Sequence, residues 1–248
     1  MDKVLLVTGA SRGIGAATAL LAAQRGYAVA VNYHRNQAAA EAVVAAIHAG
    51  GGRAVAIAAN VADEIDVQRL FAETELALGP LSALVNNAGV LEPQLRLDEM
   101  SVARWQRILA TNVIGPLLCC REAVKRLSTR HGGTGGAIVN VSSAAARLGS
   151  GGEYVDYAAS KGALDTLTIG LAKEVAAEGI RVNAVRPGFI YTDMHADGGE
   201  PGRVDRVKRA VPLQRGGQPQ EVAEAILWLL SDAASFTTGS FIDVAGGR

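Results

Sequence analysis

Short apolar runs alternate with longer amphipathic stretches from one end of the chain to the other, and this alternation limits the fold more than any other feature. Val4–Val7, Ala28–Tyr33, Ala54–Ala58, Leu81–Asn86, Ala137–Ser142, Arg181–Arg186 and Phe241–Val244 read as strands. Between them, Ala16–Arg25, Gln37–Ala49, Asp63–Leu78, Ser101–Ala110, Val113–Arg130, Tyr154–Ala177 and Pro219–Leu230 read as helices, the second closed by Gly50-Gly51-Gly52. Seven strands separated by helices predict a parallel, doubly wound α/β sheet. At 248 residues the chain is most simply one domain, residues 1–248.

Composition removes several function classes. With 49% hydrophobic and 19% charged residues the chain can bury enough apolar surface to offset its ordering entropy, which argues against intrinsic disorder. Its 24 Lys and Arg balance 24 Asp and Glu, so no global field draws in a nucleic-acid backbone or an anionic membrane. A charged ligand must be met locally. Glycine is over-represented, 29 of 248 residues, which predicts tight turns and close backbone approaches. Cys119 and Cys120 are adjacent, cannot staple a framework, and read as small buried helix residues. The opening MDKVLLVTGA does not suit a signal-peptide core, no apolar run reaches the ~18 residues of a membrane span, and a cytoplasmic location is expected. His34, His48, His131 and His195 show no metal-ligand spacing. Of two glycine-rich stretches, residues 130–136 read as a surface turn. Residues 196–202 follow a strand end and read as part of a mobile substrate lid spanning about 190–212.

The first strand runs into Thr8-Gly9-Ala10-Ser11-Arg12-Gly13-Ile14-Gly15 and then a helix. Glycines there let the chain turn sharply and let backbone N–H groups approach a pyrophosphate at the positive helix end. The spacing Gly-x3-Gly-x-Gly departs from Gly-x-Gly-x-x-Gly, and such a turn also arises for structural reasons alone. Where the second strand ends, Tyr33, His34 and Arg35 occupy the place at which a carboxylate would read the adenosine 2′-hydroxyl of NAD. Basic residues suit the 2′-phosphate of NADP, so NADP(H) is favoured, with Arg12 and Arg35 as a guanidinium clamp. Arg35 also reads as a solvated residue at a helix start.

Tyr157 and Lys161 stand four apart on the longest helix, so phenol and ammonium share a face. A tyrosine with its ordinary pKa near 10 is a poor acid–base catalyst at neutral pH. A positive charge ~4 Å away at an effective dielectric of ~20 is worth about 4 kcal/mol to the phenolate, before desolvation is subtracted. Upstream, Ser143 follows a strand end, at the edge of the sheet where ligands bind, and its hydroxyl can donate to a substrate carbonyl oxygen. Tyr154 reads as substrate wall or surface.

Together, Thr8-Gly9-x3-Gly13-Ile14-Gly15, Asn86-Asn87-Ala88-Gly89, Thr111-Asn112-Val113, Ser143, Tyr157-x3-Lys161 and Pro187-Gly188 with Thr192 beyond it resemble the short-chain dehydrogenase/reductase family over essentially the whole chain. The resemblance is closest to NADP-preferring bacterial reductases, of the glucose-dehydrogenase-like or carrier-protein-reductase-like kind. It implies Tyr157 as general acid in reduction and base in oxidation, and Ser143 as the group that polarises the carbonyl. Lys161 would hold the nicotinamide ribose and depress the Tyr157 pKa, and Asn112 would fix a water linking Lys161 to solvent. Asn87, Ala88 and Gly89 would line the cofactor channel, Pro187, Gly188, Ile190 and Thr192 would seat the nicotinamide, and hydride would come from the cofactor. It also implies a homotetramer, with Val113–Arg130 and Tyr154–Ala177 at one interface and Phe241–Val244 near another.

Two residues depart from the family pattern. Asn60, before Val61, replaces the aspartate that usually faces adenine, although an amide can still hydrogen-bond it. Glu178 stands before Gly179 where acyl-carrier-protein reductases often carry a basic residue, and its charge would repel an acidic carrier. Lys125, Arg126, Arg130, Arg203, Arg206, Lys208 and Arg209 read as solvated faces rather than an acid-receiving surface, and His195 as an exposed loop residue. The expectation is an NADP(H)-dependent oxidoreductase acting on a small ketone, sugar or secondary alcohol, on a Rossmann-type sheet of order 3-2-1-4-5-6-7. A 3-oxoacyl-thioester reductase is the alternative within enzymes, and a non-catalytic dinucleotide-binding regulator is the rival outside them.

Overall fold

The computed structural model describes residues 3–248. Its strands are β1 (Lys3–Val7), β2 (Tyr27–Tyr33), β3 (Ala54–Ala58), β4 (Leu81–Asn86), β5 (Gly136–Val141), β6 (Ile180–Pro187) and β7 (Phe241–Val244). They form one sheet of order β3-β2-β1-β4-β5-β6-β7, every neighbouring pair parallel, as the alternation predicted. The helices are α1 (Gly13–Gln24), α2 (Gln37–Ala49), α3 (Glu64–Leu78), α4 (Val102–Leu109), α5 (Gly115–Leu127), α6 (Ala145–Leu148), α7 (Val155–Val175), α8 (Met194–Asp197), α9 (Arg203–Val207) and α10 (Pro219–Leu230).

Successive strand residues point to opposite faces, so each strand feeds two cores. Leu5, Val7, Val29 and Val31 pack with Ala19 and Ala22 of α1, Val43 and Ile47 of α2, and Val222 and Ile226 of α10. Val4, Leu6, Ala28 and Ala30 pack on the other side with Leu70 and Phe71 of α3, Cys119, Cys120 and Leu127 of α5, and Ala172 and Val175 of α7. Both cysteines are buried there, and burial pushes the Cys120 thiol up to about 12.

Sequence and structure differ in two places that matter to the site. The two helices expected over 101–110 and 113–130 run together through a π-helical turn, Ala110–Ile114, and the second ends early at Leu127. Away from the site, residues 130–136 form the expected surface turn, with close backbone packing at two of its glycines: a Cβ on Gly133 would collide with the Arg126 and Leu127 carbonyls, and one on Gly135 would lie 2.6 Å from the Gly179 carbonyl oxygen. Residues 193–210 fold into α8, α9 and a 3₁₀ turn over Lys208–Ala210.

Candidate active site

The loop between β1 and α1 is shaped by side chains from both neighbouring strands. Asn87, just past β4, donates through Nδ2 to the Thr8 and Gly9 carbonyls at 2.9 Å each, while the Asn87 and Ala88 amides donate to Thr8 Oγ1 at 3.0 Å. Asn32, buried in β2, accepts the Gly9 N–H at 3.1 Å and donates to the Ala59 carbonyl at 3.1 Å. The fit leaves no room for side chains: Gly9 has φ +60°, and a Cβ on Gly15 would come within 2.5 Å of Asn87 Nδ2. Sequence reasoning missed Asn32 and Thr8, although one polar residue in the apolar run YAVAVNY was a visible signal. Arg12 caps α1 in extended conformation with no side-chain cap bond. The amides of Ser11, Arg12, Gly13, Ile14 and Gly15 find no acceptor among the described residues. Open N–H groups at a positive helix end match the donors a pyrophosphate needs, so the loop fits a dinucleotide.

At the end of β2, Tyr33 is half-buried and His34 and Arg35 are exposed. Arg12 pairs with Asp197 and lies 3.9 Å from Asp193, both beyond β6. Asn60 Oδ1 accepts the Ala62 N–H at 3.1 Å, which leaves its Nδ2 hydrogens for a ligand, above buried Val61.

Ser143, Tyr157 and Lys161 line one cavity of about 430 Å³, along with Ile14, Asn87, Pro187, Gly188, Ile190 and Thr192. Ser143 follows β5, and its hydroxyl is close enough to the Tyr157 phenol to draw the phenol pKa down. Lys161, buried, donates through Nζ to the Val141 carbonyl at 2.8 Å and stands 5.6 Å from the centre of the Tyr157 ring. Asn112 is fully buried in the π turn, where it accepts the Val90 N–H at 2.8 Å and donates to the Val90 carbonyl at 3.0 Å and Ser160 Oγ at 3.1 Å. A Cβ on Gly89 would lie 3.5 Å from Asn112 Oδ1 and 3.6 Å from Lys161 Nζ, so both border the same glycine.

Electrostatics here run opposite to the expectation of a lowered Tyr157 pKa. Burial pushes the phenol up to about 12, and the Ser143 hydroxyl draws it partly back. Burial pulls Lys161 down to about 8, opposed by the Asp165 carboxylate. The physical reason is that desolvation outweighs attraction while the ammonium is turned onto the Val141 carbonyl.

Around the far wall, the expectations for His195 and Arg203 are corrected, and Tyr154 takes the wall position of its two readings. Tyr154 is buried wall, its hydroxyl donating to the Gly198 carbonyl at 3.2 Å. His195 is half-buried and lines the cavity, with Nε2 2.9 Å from the Ile190 carbonyl and Nδ1 buried without a partner. Arg203 is no solvated residue: it is 6% exposed, lies over the Tyr154 ring, and pairs with Glu153 and, at 3.2 Å, Glu200. Lys125 and Arg126 pair with Glu122, Arg206 with Glu200, and Lys208 with Asp205, so these runs carry little free positive charge. Glu178 itself accepts from Ser128 at 2.5 Å and lies 3.9 Å from Arg130.

Comparison with known proteins places this geometry. A family model described as enoyl-(acyl carrier protein) reductase matches residues 9–248. The chain is 63% identical over 245 residues to an uncharacterized oxidoreductase, YgfF, of Escherichia coli K12, covering 99% of both chains. It is 43% identical to a 3-oxoacyl-[acyl-carrier-protein] reductase of Synechocystis, covering 99% of this chain and 96% of that one. Among solved structures, a short-chain dehydrogenase/reductase variant from Serratia marcescens superposes with TM-score 0.91 at 36% identity, over 99% of this chain and 97% of that one.

Proposed function

The chain belongs to the short-chain dehydrogenase/reductase family, oxidoreductases that bind a nicotinamide dinucleotide and act on carbonyl or CH–OH groups, and from that premise we propose that it is an NADP(H)-dependent carbonyl reductase or alcohol dehydrogenase. Its substrate is a small ketone, sugar or secondary alcohol. The observation that carries this reading is the convergence of Ser143, Tyr157 and Lys161 in one cavity, beside a loop whose amides are open to a pyrophosphate.

When bound, the cofactor supplies the hydride. Gly9, Ser11, Arg12, Gly13, Ile14 and Gly15 hold its pyrophosphate, with Asn87, Ala88 and Gly89 along the channel. Tyr33, His34, Arg35, Asn60 and Val61 surround the adenosine end, and Pro187, Gly188, Ile190 and Thr192 the nicotinamide end. The absence of a carboxylate at the end of β2 supports NADP(H) over NAD(H). Ser143 orients the carbonyl and donates to its oxygen as charge develops there. Tyr157 gives that oxygen its proton in reduction and takes it back in oxidation. Lys161 holds the nicotinamide ribose and, once turned toward the phenol, favours the phenolate. Asn112 fixes the turn against which Lys161 packs and leads a proton path to solvent. Residues 1–248 act as one domain whose segment 190–212 closes over substrate. Exposed Leu109, Ile114, Leu117 and Ile169 support a homotetramer with that face as an interface.

The second reading, a 3-oxoacyl-thioester reductase, is favoured by the printed function of the Synechocystis relative. The ion-paired state of the basic residues counts against docking of an acidic carrier. NADPH oxidation with a panel of ketones, sugars and 3-oxoacyl thioesters separates the two, and binding without turnover on any would favour a non-catalytic role. Tyr157→Phe is expected to lose more than nine-tenths of turnover and keep NADPH binding; retained activity above that level would remove Tyr157 from the proton step.

A further inference from the structure

Behind the cavity lies a buried carboxylate to which the reaction above gives no part. Tyr157, Lys161 and Asp165 recur at four-residue spacing and share one face of α7. Asp165 is almost wholly buried, and both of its oxygens are engaged: Oδ1 accepts from Ser142 Oγ at 2.6 Å, and Oδ2 from Arg186 Nε at 3.0 Å and its terminal nitrogen at 2.8 Å. Arg186 lies 3.8 Å over the Phe241 ring and 3.8 Å from Asp243, which pairs with Arg147 at 3.1 Å. Charges of alternating sign thus run from Lys161 through Asp165, Arg186 and Asp243 to Arg147 at the surface.

We propose that Asp165 is a positioning residue that keeps Lys161 charged beside Tyr157, and that Arg186 sets how strongly it does so. A buried ammonium bonded to a neutral carbonyl has little to hold its proton, and Asp165 stands one helical turn further along the same face of α7, linked through the Ser142 hydroxyl to the Lys161 carbonyl. Arg186 draws on the same carboxylate from β6 and so weakens its field at Lys161. The other elements around the ammonium bring no further charge: β5 presents the Val141 carbonyl and the Ser142 and Ser143 hydroxyls, and the π turn the Asn112 amide. Across the cavity stand His195 and the Arg203–Glu153 pair.

The inference rests on the proposed reduction and gives it a pH dependence. Removing a nearby negative charge lowers the pKa of both members of the Tyr157–Lys161 pair, whichever loses its proton first. Asp165→Asn keeps the acceptor for Ser142 and loses the charge. The alkaline limb of kcat/KM for ketone reduction is expected to move down by about one pH unit in this variant. Asp165→Glu should retain the wild-type limb, and Arg186→Gln, which frees the Asp165 field, should move it up. A merely structural role would lower rates evenly at every pH, and an unmoved limb, or shifts of the same sign in Asp165→Asn and Arg186→Gln, would overturn the proposal. If the wild type reduces no carbonyl, the proposed function fails on its own. The opposite shifts are then sought in the ¹³Cζ resonance of Tyr157, assigned by its loss in Tyr157→Phe, and their absence there overturns the inference.

Discussion

Arg12 and Arg35 flank one end of the proposed cofactor site but stand in different electrostatic company. Arg12 already has Asp193 and Asp197 as partners, whereas Arg35 is exposed with no acidic partner among the described residues. A charge-assisted hydrogen bond to a phosphate is worth about 1.5–3 kcal/mol, so Arg35→Ala is expected to raise KM for NADPH about tenfold. KM for NADH should stay unchanged, and equal losses with both cofactors would place the 2′-phosphate elsewhere. The Tyr157–Lys161 spacing was legible because four residues make one helical turn and a little more. The orientation of Lys161 was not, since its acceptor is a β5 carbonyl twenty residues away, which no periodicity encodes. His195 read as exposed for a similar reason: the Ile190 carbonyl that fixes its ring becomes visible only once the 190–212 segment is folded.

Helix α4 is tied to the start of α7 by a buried ion pair, Arg104 Nε to Asp156 Oδ2 at 2.6 Å, with side chains only 3% and 5% exposed. Asp156 also accepts the Tyr157 N–H at 2.9 Å, so this pair anchors the turn from which the phenol projects. Removing one partner leaves the other charged, buried and alone. Arg104→Met is expected to cost about 3–5 kcal/mol in urea unfolding, and Arg104→Met with Asp156→Leu distinctly less. A single variant as mild as the double would show that the pair does not couple the two helices. Strand and helix existence was readable from apolar period, yet the π turn between α4 and α5 was not. Thr111-Asn112 read as a break, whereas the backbone continues helically through a widened turn that seats Asn112 against Val90. Such wide turns often mark functional sites.

Across the whole molecule, every strand delivers its carboxyl end to the same edge, and the segment beyond β6 that borders the cavity there is held by ion pairs. Glu200 gathers Arg206, Gln94 and Arg203, and the Arg206 guanidinium leads in holding its carboxyl down to about 2. A depressed carboxylate pKa contributes stability that is present above its ordinary range near 4.5 and is lost as pH falls toward 2. Pepsin cleavage within residues 193–210 is therefore expected to rise through that window. Glu200→Gln should show comparable sensitivity to trypsin already at neutral pH, and wild-type resistance in that variant would show that Glu200 does not hold the segment. Strand order was legible through the family resemblance, but these ion pairs were not: Glu153 lies fifty residues from Arg203. One consequence concerns synthesis. Asn87 clamps the Thr8 and Gly9 carbonyls from 79 and 78 residues downstream, so the glycine loop leaves the ribosome early but unfinished. At about 5–20 residues per second it waits roughly four to sixteen seconds for the strand that sets its shape. A nascent chain halted before β4 would carry the whole glycine loop and still lack the Asn87 side chain that holds its carbonyls in place.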